Sequence, residues 1–308
     1  MKHKGLLILV ILLVVIFFST LIAGLVLAAT NFSWTDFSDR LNVDRWSNSF
    51  FWDGFSFGRR TYNLDENHTD DLKGIKTIVV KAVSERIVVK EGGNEFNARM
   101  SGSYSGFSRI RWTVQREGDQ LVVSSRYPWF GTHRTNLNLD LQIPASYNGV
   151  VDIKTVSGST LIENSPVSSW QSLQFNSVSG SFLAEQAIWP RLNLNSVSGA
   201  LSVGTVQGKL SMKSVSGALM ASYATSTVPE SDFDTVSGHI TLRVPKQARL
   251  RLQYNTVSGS LNAEGVQLQI ISQSRSKTEA TMNGGGNEVS AKTVSGGLRV
   301  ELHDGPSA

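Results

Sequence analysis

The chain of 308 residues contains no cysteine. That absence removes disulfides, thiolate zinc sites, iron–sulfur clusters and cysteine nucleophiles together, along with the lipid-bearing cysteine of a bacterial lipoprotein. Proline is scarce, at 7 residues, whereas glycine reaches 27. With abundant Ser, Thr, Asn and Val, this balance suits short strands joined by tight turns better than helices. Dense basic runs are also missing, and the formal net charge is only +4. A nucleic-acid surface would want a basic stripe interleaved with aromatics, so nucleic acid is not an expected partner. A slight Lys and Arg excess beyond residue 71 could attract anionic lipid or wall polymer, but its plainer reading is an ordinary solvated surface.

No catalytic constellation stands out either. His239 lies close in sequence to Asp232 and Asp234, whose side chains share one strand face. A cation or acid–base role is conceivable there, though the plainer reading is three exposed polar positions. Asn283–Glu288 is glycine-rich but follows neither the strand–helix phosphate pattern nor the Asp spacing of calcium-binding nonapeptides. No catalytic, cofactor-binding or metal-ligating residue is therefore expected, and the chain reads as non-enzymatic.

What is present begins at the N-terminus. Lys2 and Lys4 precede an uncharged apolar run from Gly5 to Ala29. At ~1.5 Å per residue this run crosses a hydrocarbon core of ~30 Å with some tilt. Residues 1–4 then form a short cytoplasmic end, 5–29 a single-pass membrane anchor, and everything beyond lies outside. A cleaved signal peptide is the competing reading, since Val26-Leu27-Ala28 resembles a cleavage site; against it, the apolar core exceeds the usual ~7–15 residues. Residues 30–71 read as a juxtamembrane linker, with four arginines against eight acidic residues and many Trp and Phe. Those aromatics either anchor at the headgroup layer or pack onto the first strands of the domain.

From Ile75 to Ile143 the chain reads as antiparallel strands. Arg116-Glu117-Gly118-Asp119 is a hairpin turn between Ile110–Val114 and Leu121–Val123, and Leu137–Ile143 alternates strictly up to Pro144. This section, 72–150, is placed to cap a repeat array that fills 151–308.

The array is marked by seven copies of Val-Ser-Gly. The corner pairs are Val156 and Gly158, Val178 and Gly180, Val197 and Gly199, Val215 and Gly217, Val236 and Gly238, Val257 and Gly259, and Val294 and Gly296. Their spacings of 22, 19, 18, 21, 21 and 37 residues define a repeat of about 20 residues. Seven and five positions before each glycine the residues are mostly large and apolar, with polar residues between, as in a half-buried strand. Three positions before it stands Ser or Thr in every copy, and after it the apolar positions come at the second and fourth residues. Buried positions therefore change parity once per repeat, which a period-two strand does only through a bend or bulge. Each repeat is two short strands meeting at a corner, with Val and Gly inward and Ser forming a ladder of mutually bonded hydroxyls. Leu268–Ile271 and the Asn283–Asn287 turn form a degenerate coil or a hairpin, and the last repeat closes the domain. The predicted class is all-β: a β-solenoid, parallel β-helix-like, with an antiparallel β cap and one N-terminal transmembrane helix.

The repeated Asn-Ser-Val-Ser-Gly, Lys-Thr-Val-Ser-Gly and Asp-Thr-Val-Ser-Gly segments resemble the bacterial "putative adhesin" β-strand-repeat family, a domain of unknown function, over roughly Ile75 to Leu302. The resemblance implies a β-solenoid on a membrane-anchored envelope protein, with no catalytic residues to carry over. The anchor, the repeats and the missing catalytic constellation together point to a non-enzymatic envelope interaction protein, its expected partners being the membrane and cell-wall polymer, a surface ligand or another envelope protein. Two other roles stay open: an accessory in envelope-stress signalling, and a carbohydrate-active enzyme on a β-helix. The latter would need clustered carboxylates on one face of adjacent coils.

Overall fold

The computed structural model describes residues 60–106, 109–127, 134–163 and 169–303. The expected membrane segment 5–29 and most of the expected linker lie outside these residues. Among the described residues every regular element is a strand, and no helix is long and apolar enough to cross a membrane.

Strand β1 (Arg60–Asp70) comes first, inside the stretch expected to be linker. One coil follows, β2 (Thr77–Lys81) and β3 (Arg86–Glu91), then β4 (Phe96–Gly106) and β5 (Arg111–Glu117), then a second coil, β6 (Gln120–Arg126) and β7 (Arg134–Ile143). Five regular coils come next: β8 (Val150–Thr155) with β9 (Thr160–Ile162), β10 (Ser172–Ser177) with β11 (Phe182–Ala184), β12 (Arg191–Ser196) with β13 (Leu201–Val203), β14 (Lys209–Ser214) with β15 (Leu219–Ser222), and β16 (Ser231–Thr235) with β17 (Ile240–Pro245). The chain finishes with the coil β18 (Leu250–Thr256) and β19 (Leu261–Asn262), the hairpin β20 (Gln269–Gln273) and β21 (Lys277–Met282), and the coil β22 (Asn287–Thr293) and β23 (Leu298–His303).

First strands of all coils join a 12-stranded sheet, here the front sheet; second strands join an 11-stranded back sheet. Within the coils the pairing is parallel and in register, as in Leu192 beside Leu173 and Leu210. One continuous core fills the space between the sheets. In β12 the inward set is Leu192, Leu194 and Ser196; across the corner it becomes Leu201 and Val203. The parity change is therefore real, and Phe175 of the front sheet meets Phe182 of the back sheet at 5.1 Å.

The corner differs from the expectation first in that the valine points out. Val156, Val178 and Val257 are 48%, 40% and 62% exposed, and the serine after each is exposed as well. Two successive outward residues make the phase slip. The interior is occupied instead by the Ser or Thr three positions before the glycine. At six corners its hydroxyl accepts the buried glycine N–H, for example Ser177 from Gly180 at 2.6 Å and Ser196 from Gly199 at 2.8 Å. A valine there would leave that N–H unsatisfied, at a cost of about 1–3 kcal/mol. Hydroxyls do not chiefly bond to one another, as expected, but to backbone. The Val carbonyl of one coil accepts the Ser N–H of the next, as in Ser198 to Val178 at 2.9 Å, with the Ser198 hydroxyl also within 3.4 Å.

The glycine itself is required by contact. A β-carbon on Gly199 would stand 1.8 Å from the Gly180 carbonyl oxygen, and one on Gly217 2.0 Å from that of Gly199. These contacts also trace the coil order at the C-terminal end: Gly296 stacks on Gly238, and Gly259 on Gly296. The last repeat does not close the stack. It is inserted between its two predecessors, with β22 between β16 and β18 and β23 between β17 and β19. The 37-residue gap contains the β20–β21 hairpin, which pairs antiparallel beyond β18.

The N-terminal end is threaded in the same way, and it is not the purely antiparallel cap expected. The coil β2/β3 pairs parallel with β6/β7 on one side and with β8/β9 on the other. Only β1, β4 and β5 are antiparallel additions. They are fastened by Arg116 of β5, which bonds Asp70 at 2.6 Å and holds that carboxyl below its ordinary ionisation range.

Two outcomes test this geometry. Gly199→Ala should lower stability by more than about 3 kcal/mol through the carbonyl collision. Gly118→Ala, at a positive φ with open space around it, should cost only about 1 kcal/mol. Urea unfolding reads both. Removing residues 287–308 should abolish hydrogen-exchange protection over 250–282 while sparing 150–222. Were the last repeat terminal, β18 would stay protected.

Candidate functional site

The corner residues singled out by their repetition form a column on one edge of the solenoid, and their contacts are structural. Gly and Ser or Thr pack within it, while Val and Ser line its outside. One corner lacks the motif and escaped the sequence reading. Val83-Ser84-Glu85 occupies the Val-Ser-Gly position in the β2/β3 coil, since a β-carbon on Gly158 would meet the Glu85 carbonyl at 2.1 Å. Glu85 is fully buried. Its Oε2 accepts the N–H groups of Val83 and Ser84 at 2.7 and 2.9 Å. Ala82 stands where the other corners carry Ser or Thr, so loss of the hydroxyl and loss of the glycine occur together. On the side of the adjoining β6/β7 coil the Tyr127 and Thr135 hydroxyls approach Ser84 at 3.3 and 3.1 Å. Burial, and then the neighbouring Glu85 charge, hold the Tyr127 hydroxyl above its usual ionisation range. In the sequence this corner shows only as Val-Ser after the apolar run Ile78–Val80, without the glycine that marks the others.

The outer face of the front sheet is the more extended feature. Register stacks its outward residues into columns. Six positions before the corner glycine these run Asp152, Gln174, Asn193, Ser211, Asp232, Ser290 and Gln253; four positions before it, Lys154, Asn176, Asn195, Lys213, Asp234, Lys292 and Asn255. Neighbours in these columns bond to one another. Asn195 donates to Asn176 at 3.0 Å, Lys213 pairs with Asp234 at 3.4 Å, and Lys292 lies 3.8 Å from Asp232 and 3.9 Å from Asp234. Charges of both signs thus alternate and neutralise one another. A shallow depression of about 780 Å³ opens on this face, with Arg191, Asn193, Lys209, Glu230, Asp232 and Glu288 on its walls. Donors and acceptors repeat along it at the coil spacing of ~4.8 Å.

Of the residues weighed for chemistry, His239 is not brought to Asp232 and Asp234. It begins the back-sheet half of its coil, with its ring over Gly297 of the next coil, whereas both aspartates face out from β16. Asn283–Glu288 makes the turn from β21 into β22: Asn283, Gly284 and Gly285 have positive φ, and the Asn283 amide donates to the Lys246 and Ala248 carbonyls. Acidic residues do gather in the depression, where Glu230, Asp232 and Glu288 share adjacent coils. None is buried, and Glu230 is paired with Lys209 at 2.6 Å. A glycosidase acid needs a desolvated, apolar setting to stay protonated, which this face does not supply. Among the described residues no group of three His, Asp or Glu is arranged to hold a metal.

A stacked two-sheet solenoid with a regular polar outer face belongs to the repeat proteins, in which each coil contacts only its neighbours. Within that class the chain belongs to the Toastrack DUF4097 family, which matches residues 75–301. No curated protein matches it significantly. Among solved structures, a "putative cell adhesion protein" from Clostridium sporogenes is 11% identical, with a TM-score of 0.36, over 79% of this chain and 100% of that one. A "putative adhesin" from Parabacteroides distasonis is 10% identical, with a TM-score of 0.35, over 80% and 97%. Another from Parabacteroides merdae is 10% identical, with a TM-score of 0.26, over 80% and 96%.

The Glu85 corner yields a direct check. Glu85→Ala should destabilise the chain by about 2–3 kcal/mol, because two buried N–H groups lose a charged acceptor. Glycine at the same position in seven other coils makes the opposite result the obvious alternative, and chemical denaturation separates the two.

Proposed function

We propose that the protein is a non-enzymatic interaction protein of the cell envelope. Residues 5–29 anchor it, and the solenoid stands outside the membrane with its front sheet offered to a wall glycan. The supporting observation is the front-sheet lattice: seven coils of Asn, Gln, Ser and mutually neutralised Lys–Asp pairs around a shallow depression. A surface with its charges paired off gives a polyanion little long-range attraction, whereas a polyhydroxylated strand finds a donor or acceptor at each coil. Single contacts of this kind are weak, and repetition along the stack multiplies them.

The test is cosedimentation of the full-length protein with isolated cell walls, alongside the double variant Arg191→Glu, Lys209→Glu. Wild type should sediment with the wall, and the variant should bind at least tenfold less tightly. Binding that is absent, or unchanged in the variant, would sink the proposal. Release of soluble saccharide from the wall would replace it with the enzymatic reading.

A further inference from the structure

Along the coils many basic side chains are matched by acids, as Lys90 is by Glu163, Lys209 by Glu230 and Arg243 by Glu301. At one tip of the N-terminal end the matching stops. Strands β5 and β7 begin there and β4 and β6 end there, beside the first residue of β1. Arg60, Arg109, Arg111 and Arg126 are exposed on this tip, and none of the four has an ion-pair partner among the described residues. The chain carries no Asp or Glu in 60–64, 101–115 or 120–138, the stretches that build the tip. Glu85, at the adjoining corner, is buried, and its Oε2 is taken up by two backbone N–H groups.

Local packing fixes where these arginines stand. The Tyr62 and Tyr104 rings stack at 5.1 Å, and the Tyr104 hydroxyl accepts the Ile110 N–H at 2.7 Å. That bond ties the Arg109–Arg111 segment to β4, next to the start of β1. Strand β5 then sets Arg111 directly opposite Arg126 of β6. Both face outward, because the alternate residues Trp112, Val114, Leu121 and Val123 pack against the core. Two residues further in, the Thr113 and Ser124 hydroxyls bond at 2.9 Å and keep that register. Like charges directly opposite on neighbouring strands repel. No acid among the described residues offsets the repulsion, so the arrangement suits an anion lying between the guanidiniums, whose planar forks grip phosphate oxygens in pairs.

Where the chain enters the fold selects the anion. Residues 1–59 join it at this tip, through Arg60. Between the expected membrane segment and Arg60 lie residues 30–59, and a flexible chain of that length spans ~30 Å root-mean-square. We propose that the arginine tip docks on the anionic phospholipid headgroups of the membrane that carries the protein, with Arg60, Arg109, Arg111 and Arg126 taking headgroup phosphates. This rests on the anchor at residues 5–29, and not on glycan binding by the front sheet. The attraction falls off over a Debye length of ~8 Å at physiological salt, so the tether supplies the encounter and the arginines the hold. The paired Lys and Asp columns of the front sheet do not compete for the same lipid. Docking fixes the N-terminal end of the stack at the bilayer and leaves β19 ten strand spacings, or ~48 Å, along the back sheet.

The absence of cysteine lets a single label report contact. Full-length protein is labelled with bimane at Thr61→Cys on the tip, or at Gln273→Cys at the opposite end of the stack; both positions are exposed. Each is reconstituted into vesicles doped with a lipid bearing a nitroxide on its headgroup. The Thr61 probe should be quenched about threefold more in vesicles containing phosphatidylglycerol than in phosphatidylcholine alone, and the excess should vanish at high salt. It should vanish as well in the variant Arg109→Gln, Arg111→Gln, Arg126→Gln, whose exposed positions leave the core intact. The Gln273 probe should respond alike in both lipids. Flotation with phosphatidylcholine vesicles reads the anchor by itself: a chain that does not float lacks it, and the docking, which names that membrane, falls too. A chain that floats overturns the docking alone if Thr61 quenching is equal in both lipids, unchanged in the triple variant, or matched at Gln273.

Discussion

At each regular corner a carbonyl oxygen of one coil stands 1.7–2.3 Å from where a β-carbon would project from the next, and the architecture depends on that contact. Glycine lets the coils approach until the Val carbonyl reaches the following Ser N–H, and this approach holds the parallel strands on both sides of the corner in register. It also buries the glycine's own N–H, which creates the need for a hydroxyl three residues earlier. At Glu85 both requirements lapse together: glycine gives way to a carboxylate and the hydroxyl to Ala82. The motif is thus a set of coupled contacts rather than a favoured tripeptide.

At both ends of the solenoid a coil is inserted out of chain order. The β2/β3 coil enters the stack between a later coil and the regular array, and β22/β23 separates two earlier ones. In each case the outermost parallel strand is completed only when a distant segment arrives, and antiparallel strands then cover it. Non-local pairing of this kind ties the ends to the middle, so neither end behaves as a detachable unit. The front sheet alone overruns at the C-terminal side, by the two strands β21 and β20.

The insertion also decides what the outer face presents. Lys292 lies beside Asp232 and Asp234 only because β22 pairs with β16; in chain order β18 would stand there and offer Gln253 and Asn255. The same displacement puts Glu288 next to Glu230 on the wall of the depression. Outward positions on each strand were legible from alternation, since Asp152, Gln174 and Asn193 are the polar halves of period-two runs. Their neighbours across coils were not legible, because alternation specifies a face and says nothing of the adjoining strand.

Taken alone, the sequence determined that there are repeats of about 20 residues, that buried positions change parity at each Val-Ser-Gly, and that glycine there serves either a positive φ or close approach of the neighbouring coil. These follow from side-chain periodicity and from sterics, which are local. Three things waited on the tertiary structure. The valine turned outward because the buried N–H of glycine needs a hydroxyl in the space valine would fill. The eighth corner appeared only when the Glu85 carbonyl was found beneath Gly158. The order of coils was decided by how the ends close, since coils with one shared inward profile are interchangeable neighbours until a terminal hairpin and an inserted strand make one arrangement fit.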